Sequence, residues 1–293
     1  MEPFLSRREA HDRGMTDDIL RTAHRKGELT RLRPGAYVDG AQWAEMSRAE
    51  QYRRRVLAYA ADTDAIVSHD SAAALLGRPL LRPDHTLVHF TSDGRGGGKK
   101  SSSRILHRAP LQSEDVIVID GIVVTSPMRT ALDVGCAGTF VQAVCAIESA
   151  LRVSTTKPQL VLDRLGRRRG IAHVRDAVEY ASPLTESIGE SWSRVLMHRW
   201  PDIPEPRLQH EFHDEHGRLI ARTDFDWNAK LVGESDGMSK YTSDAPAVVT
   251  KEKLREDAIR RRGTHVVRWT WADLVKPERL HRILLDGLRI AGL

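Results

Sequence analysis

The clearest hydrophobic pattern in the chain lies in residues 218–241, RLIARTDFDWNAKLVGESDGMSKY. Apolar side chains occur in two short runs on either side of a polar segment, which predicts two strands joined by a tight turn. The apolar positions of the two predicted strands are Ile220, Phe225, Leu231 and Val232. Residues 226–229, DWNA, are typical of a turn, so the strands are expected to end at this segment.

The pattern on both sides of this hairpin extends it to a larger unit. Residues 187–200 form a predicted amphipathic helix with Glu190 in its first turn, and residues 208–212 alternate as a strand does. Thr250 is a favourable N-cap for the charged run KEKLREDAIRRR, which stops at Gly263 and is followed by the strand-like run THVVRWTW. The predicted order is therefore helix, three strands, helix, strand.

The first sixty residues have the pattern of two helices followed by a hairpin. The run LSRREAHDRG predicts a short helix that ends at Gly14, and Thr16 is a favourable N-cap for the next helix. The run LTRLRPGAYVDG alternates on both sides of Pro34 and Gly35, which predicts a β-hairpin. This is the order of a winged helix, in which one helix enters the major groove and the hairpin lies along the DNA backbone.

Basic residues are concentrated on the second predicted helix and the hairpin. If the unit binds double-stranded DNA, the expected contacts are Arg21, Arg25, Lys26, Arg31 and Arg33. The alternative is a solvated basic helix beside a purely structural hairpin.

Residues 61–165 predict a mixed α/β middle domain. Ser68 is the expected N-cap of a short alanine-rich helix, and His69 in its first turn is interpreted as a structural histidine rather than a catalytic base. The basic turn at residues 167–169 is either a DNA-backbone contact or a solvated surface. The chain as a whole is predicted to be α/β (α+β), with domains at residues 1–60, 61–165 and 182–293.

Composition narrows the class of protein. The chain has 293 residues, a net charge of +5 and a pI of about 9.3, which favours an anionic partner. It has two cysteines, no apolar run of about 18 residues and no apolar core of a signal peptide at its N-terminus. We therefore expect a cytoplasmic protein without a membrane partner.

Four carboxylates in the predicted hairpin suggest a particular chemistry. Because side chains alternate along a strand, Asp224 shares a face with Asp226, and Glu234 shares a face with Asp236. Clustered carboxylates repel each other unless a cation lies between them. Mg²⁺ binds oxygen ligands, commonly one or two carboxylates together with a substrate phosphate. The hairpin is thus a candidate magnesium site that acts on a phosphodiester.

The C-terminal pattern resembles a known nuclease superfamily. The runs GESDGMSKY, EKLRED and VVRWTW, in the predicted αβββαβ order, are similar to the PD-(D/E)xK superfamily, and in particular to a domain of unknown function related to very-short-patch-repair endonucleases. The resemblance covers residues 182–293 and implies a restriction-endonuclease-like domain that uses Mg²⁺ or Mn²⁺ to hydrolyse DNA.

The resemblance also implies roles for individual residues. Asp224 and Glu234 would bind the metal, and Glu190 would position a water molecule or a second metal ion. The superfamily places a lysine two residues after the second acid, and Asp236 stands there in this chain. Lys240 is the substitute expected to reach the site, with a simple salt bridge as the alternative.

The N-terminal half resembles a second family. The runs ILRTAHRKGELTRLRPGAYV, VSHDSAAALLG and VTSPMRTALDVG are similar to the AbiEi family, whose members are antitoxins and transcriptional repressors of type IV toxin–antitoxin systems. The resemblance covers residues 1–160 and implies a cognate toxin as partner. The sequence therefore leaves two functions open, a metal-dependent endonuclease and a non-catalytic repressor or antitoxin.

Overall fold

The computed structural model describes residues 4–93, 97–236 and 255–293. Helices and mixed sheets both contribute, so the predicted α/β class is confirmed. The chain divides into two compact units, Met1–Val178 and Glu179–Leu293. None of the helices in these described ranges is both long and apolar enough to cross a bilayer.

The first unit contains nine described helices and nine described strands. The helices are α1 (Arg7–Asp12), α2 (Asp17–Arg25), α3 (Gly40–Glu45), α4 (Arg48–Ala60), α5 (His69–Leu75), α6 (Pro127–Ala137), α7 (Phe140–Leu151), α8 (Pro158–Leu165) and α9 (Ile171–Tyr180), the last of which crosses the unit boundary. The strands are β1 (Leu5–Ser6), β2 (Leu29–Arg33), β3 (Ala36–Asp39), β4 (Ile66–Val67), β5 (Val88–Ser92), β6 (Lys99–Lys100), β7 (Arg104–Arg108), β8 (Val116–Ile119) and β9 (Ile122–Thr125).

These strands form two sheets. A three-stranded sheet has the order β1-β3-β2, and a six-stranded sheet has the order β6-β7-β5-β4-β9-β8. Helix α4 contributes to the cores beside both sheets, because Ala58 packs with Val38 of the small sheet while Val56 packs with Phe90 of the large one. The predicted boundary at residue 60 therefore falls at the end of a helix that the two predicted domains share.

The helices and the hairpin of the first sixty residues occur in the predicted order. Thr16 Oγ1 accepts a hydrogen bond from the backbone N–H of Ile19 at 3.3 Å, so the predicted N-cap of α2 is confirmed. Strands β2 and β3 pair antiparallel around Pro34 and Gly35, and Gly35 has a φ of 78° that suits glycine. Strand β1 adds a third strand to this hairpin.

The second unit is built around one mixed sheet. Its described elements are α10 (Ile188–His198), β10 (Arg207–His213), β11 (Leu219–Trp227), β12 (Leu231–Asp236), α11 (helical residues 255–260), β13 (His265–Thr270), α12 (Trp271–Val275) and α13 (Pro277–Ala291). The sheet order is β10-β11-β12-β13, antiparallel except for the parallel pair β12 and β13. The helix and strand order from residue 187 to 270 is the predicted one.

The turn between β11 and β12 differs from the prediction. Asp226 and Trp227 belong to β11, and the chain reverses at Asn228 and Ala229, which have φ values of 54° and 57°. Two consecutive residues of positive φ match the twist of a hairpin. Asp226 Oδ1 accepts from the backbone N–H of Ala229 at 2.9 Å, so this carboxylate stabilises the turn from within the strand.

Candidate active site

Asp224 lies on β11, one residue beyond the last pair of the ladder with β12. Backbone pairing of the two strands runs from Trp227 opposite Leu231 to Phe225 opposite Gly233. One residue further along β11, the Asp224 carboxylate accepts a hydrogen bond from the backbone N–H of Ser235 at 2.9 Å. The side chain of Asp224 is thereby held against β12, beside Glu234.

Glu190 reaches the same region from the first turn of α10. Ser187 caps this helix by accepting from the Glu190 N–H at 3.1 Å. A Cβ at Gly189 would lie 2.6 Å from Ser235 Oγ, so a larger residue here would require the Ser235 side chain to move. Glu190 Oε2 accepts from the backbone N–H of Glu186 at 2.8 Å and from Gln209 Nε2 at 3.0 Å.

Gln209 has no counterpart among the sequence predictions. It lies within β10 with a φ of 50°, and this left-handed backbone interrupts the regular pairing of β10 with β11. Its amide is bound to the Glu190 carboxylate. Nothing in an alternating strand pattern distinguishes such a residue, because its importance depends on a helix that precedes it in the chain.

The electrostatics of Glu190 indicate that acidic charges have been brought together. Burial, and next the negative charge of Asp224, raise the pKa of Glu190 from its ordinary value of 4.5 to about 7. A divalent cation relieves this kind of repulsion. Carboxylate oxygens are the donor type that Mg²⁺ and Mn²⁺ take, and these are the ions that the nuclease resemblance implies.

Glu234 is buried and ion-paired. Arg255, at the start of the described part of α11, donates from Nη2 to Glu234 Oε2 at 2.9 Å and from Nη1 to the carbonyl oxygen of Arg222 at 3.1 Å. Glu234 is 5 % exposed, so its charge is compensated inside the protein. Arg255 thus contacts an acid on the sheet.

Asp226 and Asp236 each have an arginine partner. Arg207 Nε donates to the buried carboxylate of Asp226 at 2.7 Å, which fixes Asp226 as a structural acid. Arg268 of β13 donates to Asp236 at 3.2 Å and pairs with Glu256 at 3.0 Å. The place of the superfamily lysine is therefore occupied by an acid in an ion pair. Lys240 and the predicted N-cap Thr250 fall in residues 237–254, outside the described residues.

The predicted DNA contacts separate into two groups. Arg21, Arg25, Lys26 and Arg31 are exposed on α2, the residue after it and β2. Arg21 forms an ion pair with Asp18, and Lys26 lies 3.8 Å from Glu28, both at the surface.

Arg33 belongs to the interior instead. Its side chain is 15 % exposed, donates to the carbonyl oxygens of Ala58 and Pro34, and lies 3.4 Å from Asp62. It binds the hairpin to the end of α4, and a contact of Arg33 with DNA stays a prediction.

A buried ion network explains one of the sequence motifs. In VTSPMRTALDVG, Arg129 and Asp133 are four residues apart on α6 and pair at 2.9 Å, and Arg129 also pairs with Asp115 at 3.0 Å. Arg164 and Arg168 add outer contacts to Asp115 and Asp133 at 2.6 and 2.8 Å. The motif therefore stabilises the packing of α6, and Arg168 of the basic turn is one of its partners.

Three histidines of the first unit lie close together: His69, His89 and His107. One nitrogen from each ring lies within 4.8 Å of a nitrogen of each of the others. Among the described residues, this is the group of potential metal ligands that meets that spacing; the three carboxylates of the second unit do not. Burial lowers the pKa of His69 and His107, and it lowers the pKa of His89 to about 4. The rings are consequently neutral at pH 7.

The raised pKa of Glu190 predicts a specific pH dependence. The folded state keeps the proton up to about pH 7, whereas the unfolded chain releases it near 4.5, so stability falls as the pH rises through this interval and then levels off. Glu190→Gln should remove this loss and raise stability at pH 8 by up to about 3 kcal/mol. Thermal unfolding at pH 5 and pH 8 in a chelating buffer measures the effect.

The control for this measurement is Glu211→Gln, which removes an exposed carboxylate of β10. It should follow the wild type at both pH values. If the stability of wild type and of Glu190→Gln changed with pH in the same way, the raised pKa of Glu190 would be contradicted.

Comparison with known proteins finds relatives whose function is not described. No family model matches the chain. The chain is similar to two proteins of Mycobacterium tuberculosis, from strains CDC 1551 / Oshkosh and ATCC 25618 / H37Rv, each described as an uncharacterized protein and each 28% identical over 183 residues. The match covers 59% of this chain and 66% of each relative, just under two thirds of their length.

Proposed function

We propose that this protein is a DNA endonuclease that depends on a divalent metal ion. The observation that supports the proposal is the approach of Glu190 on α10 to Asp224 on β11, close enough for Asp224 to raise the pKa of Glu190, with Glu234 on the adjacent strand β12. Three acids from separate elements are costly to bring together. A cationic ligand gives this arrangement a physical reason.

Each acid has a distinct part in the proposed reaction. Asp224 and Glu234 would hold Mg²⁺ or Mn²⁺, which supplies Lewis-acid activation of water and neutralises charge on the phosphate. Glu190, oriented by Gln209 at 3.0 Å, would accept the proton of the attacking water, because its pKa of about 7 suits a general base near neutral pH. Arg255 beside Glu234 would bring positive charge to the scissile phosphate.

The winged-helix part of the first unit would bind the duplex. Exposed basic side chains on α2 and β2 suit contacts to phosphate oxygens, which position a protein on DNA without reading its sequence. Arg21 and Lys26 are paired with exposed acids, and such surface pairs contribute little and are easily exchanged for phosphate.

The direct test is cleavage of supercoiled plasmid and of linear duplex DNA by the full chain. We expect nicked and linear products with Mg²⁺ or Mn²⁺ and intact DNA with a chelator. Plasmid that stays supercoiled over a wide range of both metals would reject the endonuclease.

The second candidate is a non-catalytic repressor or antitoxin, and one observation favours it. Asp236, which stands where the superfamily has lysine, is paired with Arg268 at 3.2 Å. On this proposal the second unit is a DNA-binding platform, and a toxin would be a further partner. Tight binding to a defined duplex without metal-dependent cleavage would select this function over the first.

Both candidates require DNA binding through α2, which gives a quantitative prediction. Replacement of Arg21 and Arg25 together by alanine should weaken duplex binding. It should also lower the slope of log affinity against log salt by about two, because each lost phosphate contact removes about 0.9 released counterions. Fluorescence anisotropy at several salt concentrations measures both quantities.

The matched control is the double variant Arg282→Ala and Arg289→Ala, which removes two exposed charges from α13. Its salt slope should stay near that of the wild type. Equal slopes for the α2 variant and the wild type would show that α2 does not contact the backbone.

A further inference from the structure

The histidine cluster of the first unit is assembled from three separate elements. His69 begins α5, His89 lies on β5 and His107 lies on β7. Strands β5 and β7 are parallel neighbours, and Thr91 opposite His107 sets their register, so His89 and His107 approach along a diagonal. Residues 20 and 18 positions apart in the chain thus meet on one face of the six-stranded sheet, beside the neighbouring strands β7 and β5.

The spacing of the ring nitrogens suits a shared ligand. His89 Nδ1 lies 3.0 Å from His107 Nε2, and the rings of His69 and His107 stack with centroids 3.8 Å apart. One nitrogen from each ring falls within 4.8 Å of the others. Tetrahedral coordination at 2.0–2.1 Å needs nitrogens about 3.3 Å apart, so the rings would have to rotate from their stacked arrangement on binding.

Contacts around the cluster resemble the outer contacts of a metal site. His69 Nδ1 lies 2.9 Å from Ser68 Oγ, which also accepts from Thr91 Oγ1 at 2.8 Å, and this chain of bonds orients the ring so that Nε2 faces away. Metal-binding histidines are commonly held by such a bond at their other nitrogen. Ser68 makes this contact in place of the helix cap predicted for it.

One polar atom of the cluster lacks a partner. His89 Nε2 is buried without a hydrogen-bond partner among the described residues. A buried polar atom left in this way is costly, and native proteins rarely keep one without a reason.

The cluster opens into a cavity of about 740 Å³ whose wall is strongly cationic. His69 and His107 line it together with the basic residues Lys99, Lys100, Arg108, Arg167, Arg168 and Arg169. Asp133 also lines the cavity, but its charge is already compensated by Arg129 and Arg168. An ion of charge +2 beside this wall requires an anion.

We propose that His69, His89 and His107 bind one divalent ion of the Zn²⁺ type, and that a phosphate-type anion from the cavity completes its coordination. Neutral imidazoles select Zn²⁺ and related transition metals over Mg²⁺, which prefers oxygen. Three protein ligands leave a fourth position open, as in zinc sites that bind an exogenous group. The site lies in the first unit and does not depend on the proposed nuclease centre.

The first test is titration of the metal-stripped full chain with Co²⁺ alone. We expect one equivalent to give the visible absorption of tetrahedral cobalt, and Zn²⁺ should displace it. His89→Gln and His107→Gln should each lower the affinity at least about tenfold, as loss of a ligand does. His85→Gln, which changes a half-buried histidine stacked on Tyr52, should bind as the wild type does.

Two further variants separate this site from the others. Asp224→Asn should retain the cobalt spectrum, because the carboxylates of the second unit take no part in it. Arg167→Ala combined with Arg169→Ala should retain cobalt but lose the spectral change that inorganic phosphate causes in the wild type. If phosphate did not change the cobalt spectrum of the wild type, the proposed coordination of an anion by the metal would be rejected.

Folding of the variants is checked by circular dichroism, and one measurement needs only the wild type. Zn²⁺ should shift the imidazole NMR signals of three histidines together, with saturation at one equivalent. Absence of a stoichiometric cobalt complex in the wild type, or its persistence in folded His107→Gln, would overturn the metal site. Neither result bears on the cleavage assay, so the two proposals fail independently.

Discussion

Asp224→Asn is expected to reduce metal-dependent DNA cleavage at least about 100-fold. A neutral amide is a weaker ligand for Mg²⁺ than a carboxylate, and it does not compensate the positive charge of the ion. The substitution should leave the fold intact. The amide oxygen of asparagine can still accept the hydrogen bond that the carboxylate accepts from the Ser235 N–H at 2.9 Å. The rate of plasmid nicking at saturating Mg²⁺, compared with the wild type, measures the effect.

Duplex binding should be unchanged in the same variant, since the proposed contacts to the backbone are on α2. The control Glu211→Gln removes one negative charge from the exposed face of β10 and should cleave at the wild-type rate. Equal nicking by Asp224→Asn and the wild type would remove Asp224 from the site, and with it the nuclease function of the second unit. Loss of nicking in both variants would instead indicate a general effect of surface charge.

Arg129→Met is expected to destabilise the first unit by about 3–5 kcal/mol, which is the usual cost of breaking a buried ion pair by removal of one partner. Arg129 is fully buried and is bonded to both Asp115 and Asp133, which are also buried. Without it, two carboxylates stay in the interior with one partly exposed arginine each. The midpoint of thermal unfolding should fall by roughly 6–20 °C for a unit of this size.

Arg164→Met is the matched control. Arg164 contacts the same Asp115 at 2.6 Å, but its side chain is 23 % exposed, so water can partly replace it. We expect a loss of about 1 kcal/mol or less, as for a pair near the surface. Equal destabilisation by the two variants would mean that burial of Arg129 is not the source of its contribution.

Local signals in the sequence predicted the elements well where the chemistry is local. A hydroxyl before a helix, as at Thr16, and a proline–glycine pair between alternating runs, as at Pro34, act over three or four residues, and the structure has the elements that these signals predict. The turn after β11 was predicted two residues too early. Asp226 has the composition of a turn residue, but its pairing with Arg207 holds it in the strand.

In the candidate site, too, the sequence predicted the residues that follow a local pattern and missed those that meet through space. The alternation of side chains placed Asp224 and Glu234 on adjacent strands from the sequence alone, and the structure has them in β11 and β12. Gln209, the partner of Glu190, is 19 residues after it in the chain, and Arg255, the partner of Glu234, is 21 residues after it, so no local pattern connects these residues to the acids. Such contacts depend on the approach of α10 and α11 to the sheet.

The sequence by itself therefore determined the α/β class, the order of the elements and the pair of acids on the hairpin, because propensity, capping and alternation act between near neighbours. Tertiary structure alone decided which polar residues are buried together. It placed Arg33 in the interior, joined Arg129 to two aspartates, and brought His69 to His89 and His107. Charge and ligand chemistry act through space, so residues far apart in the chain acquire a shared role only after the sheets and helices have packed.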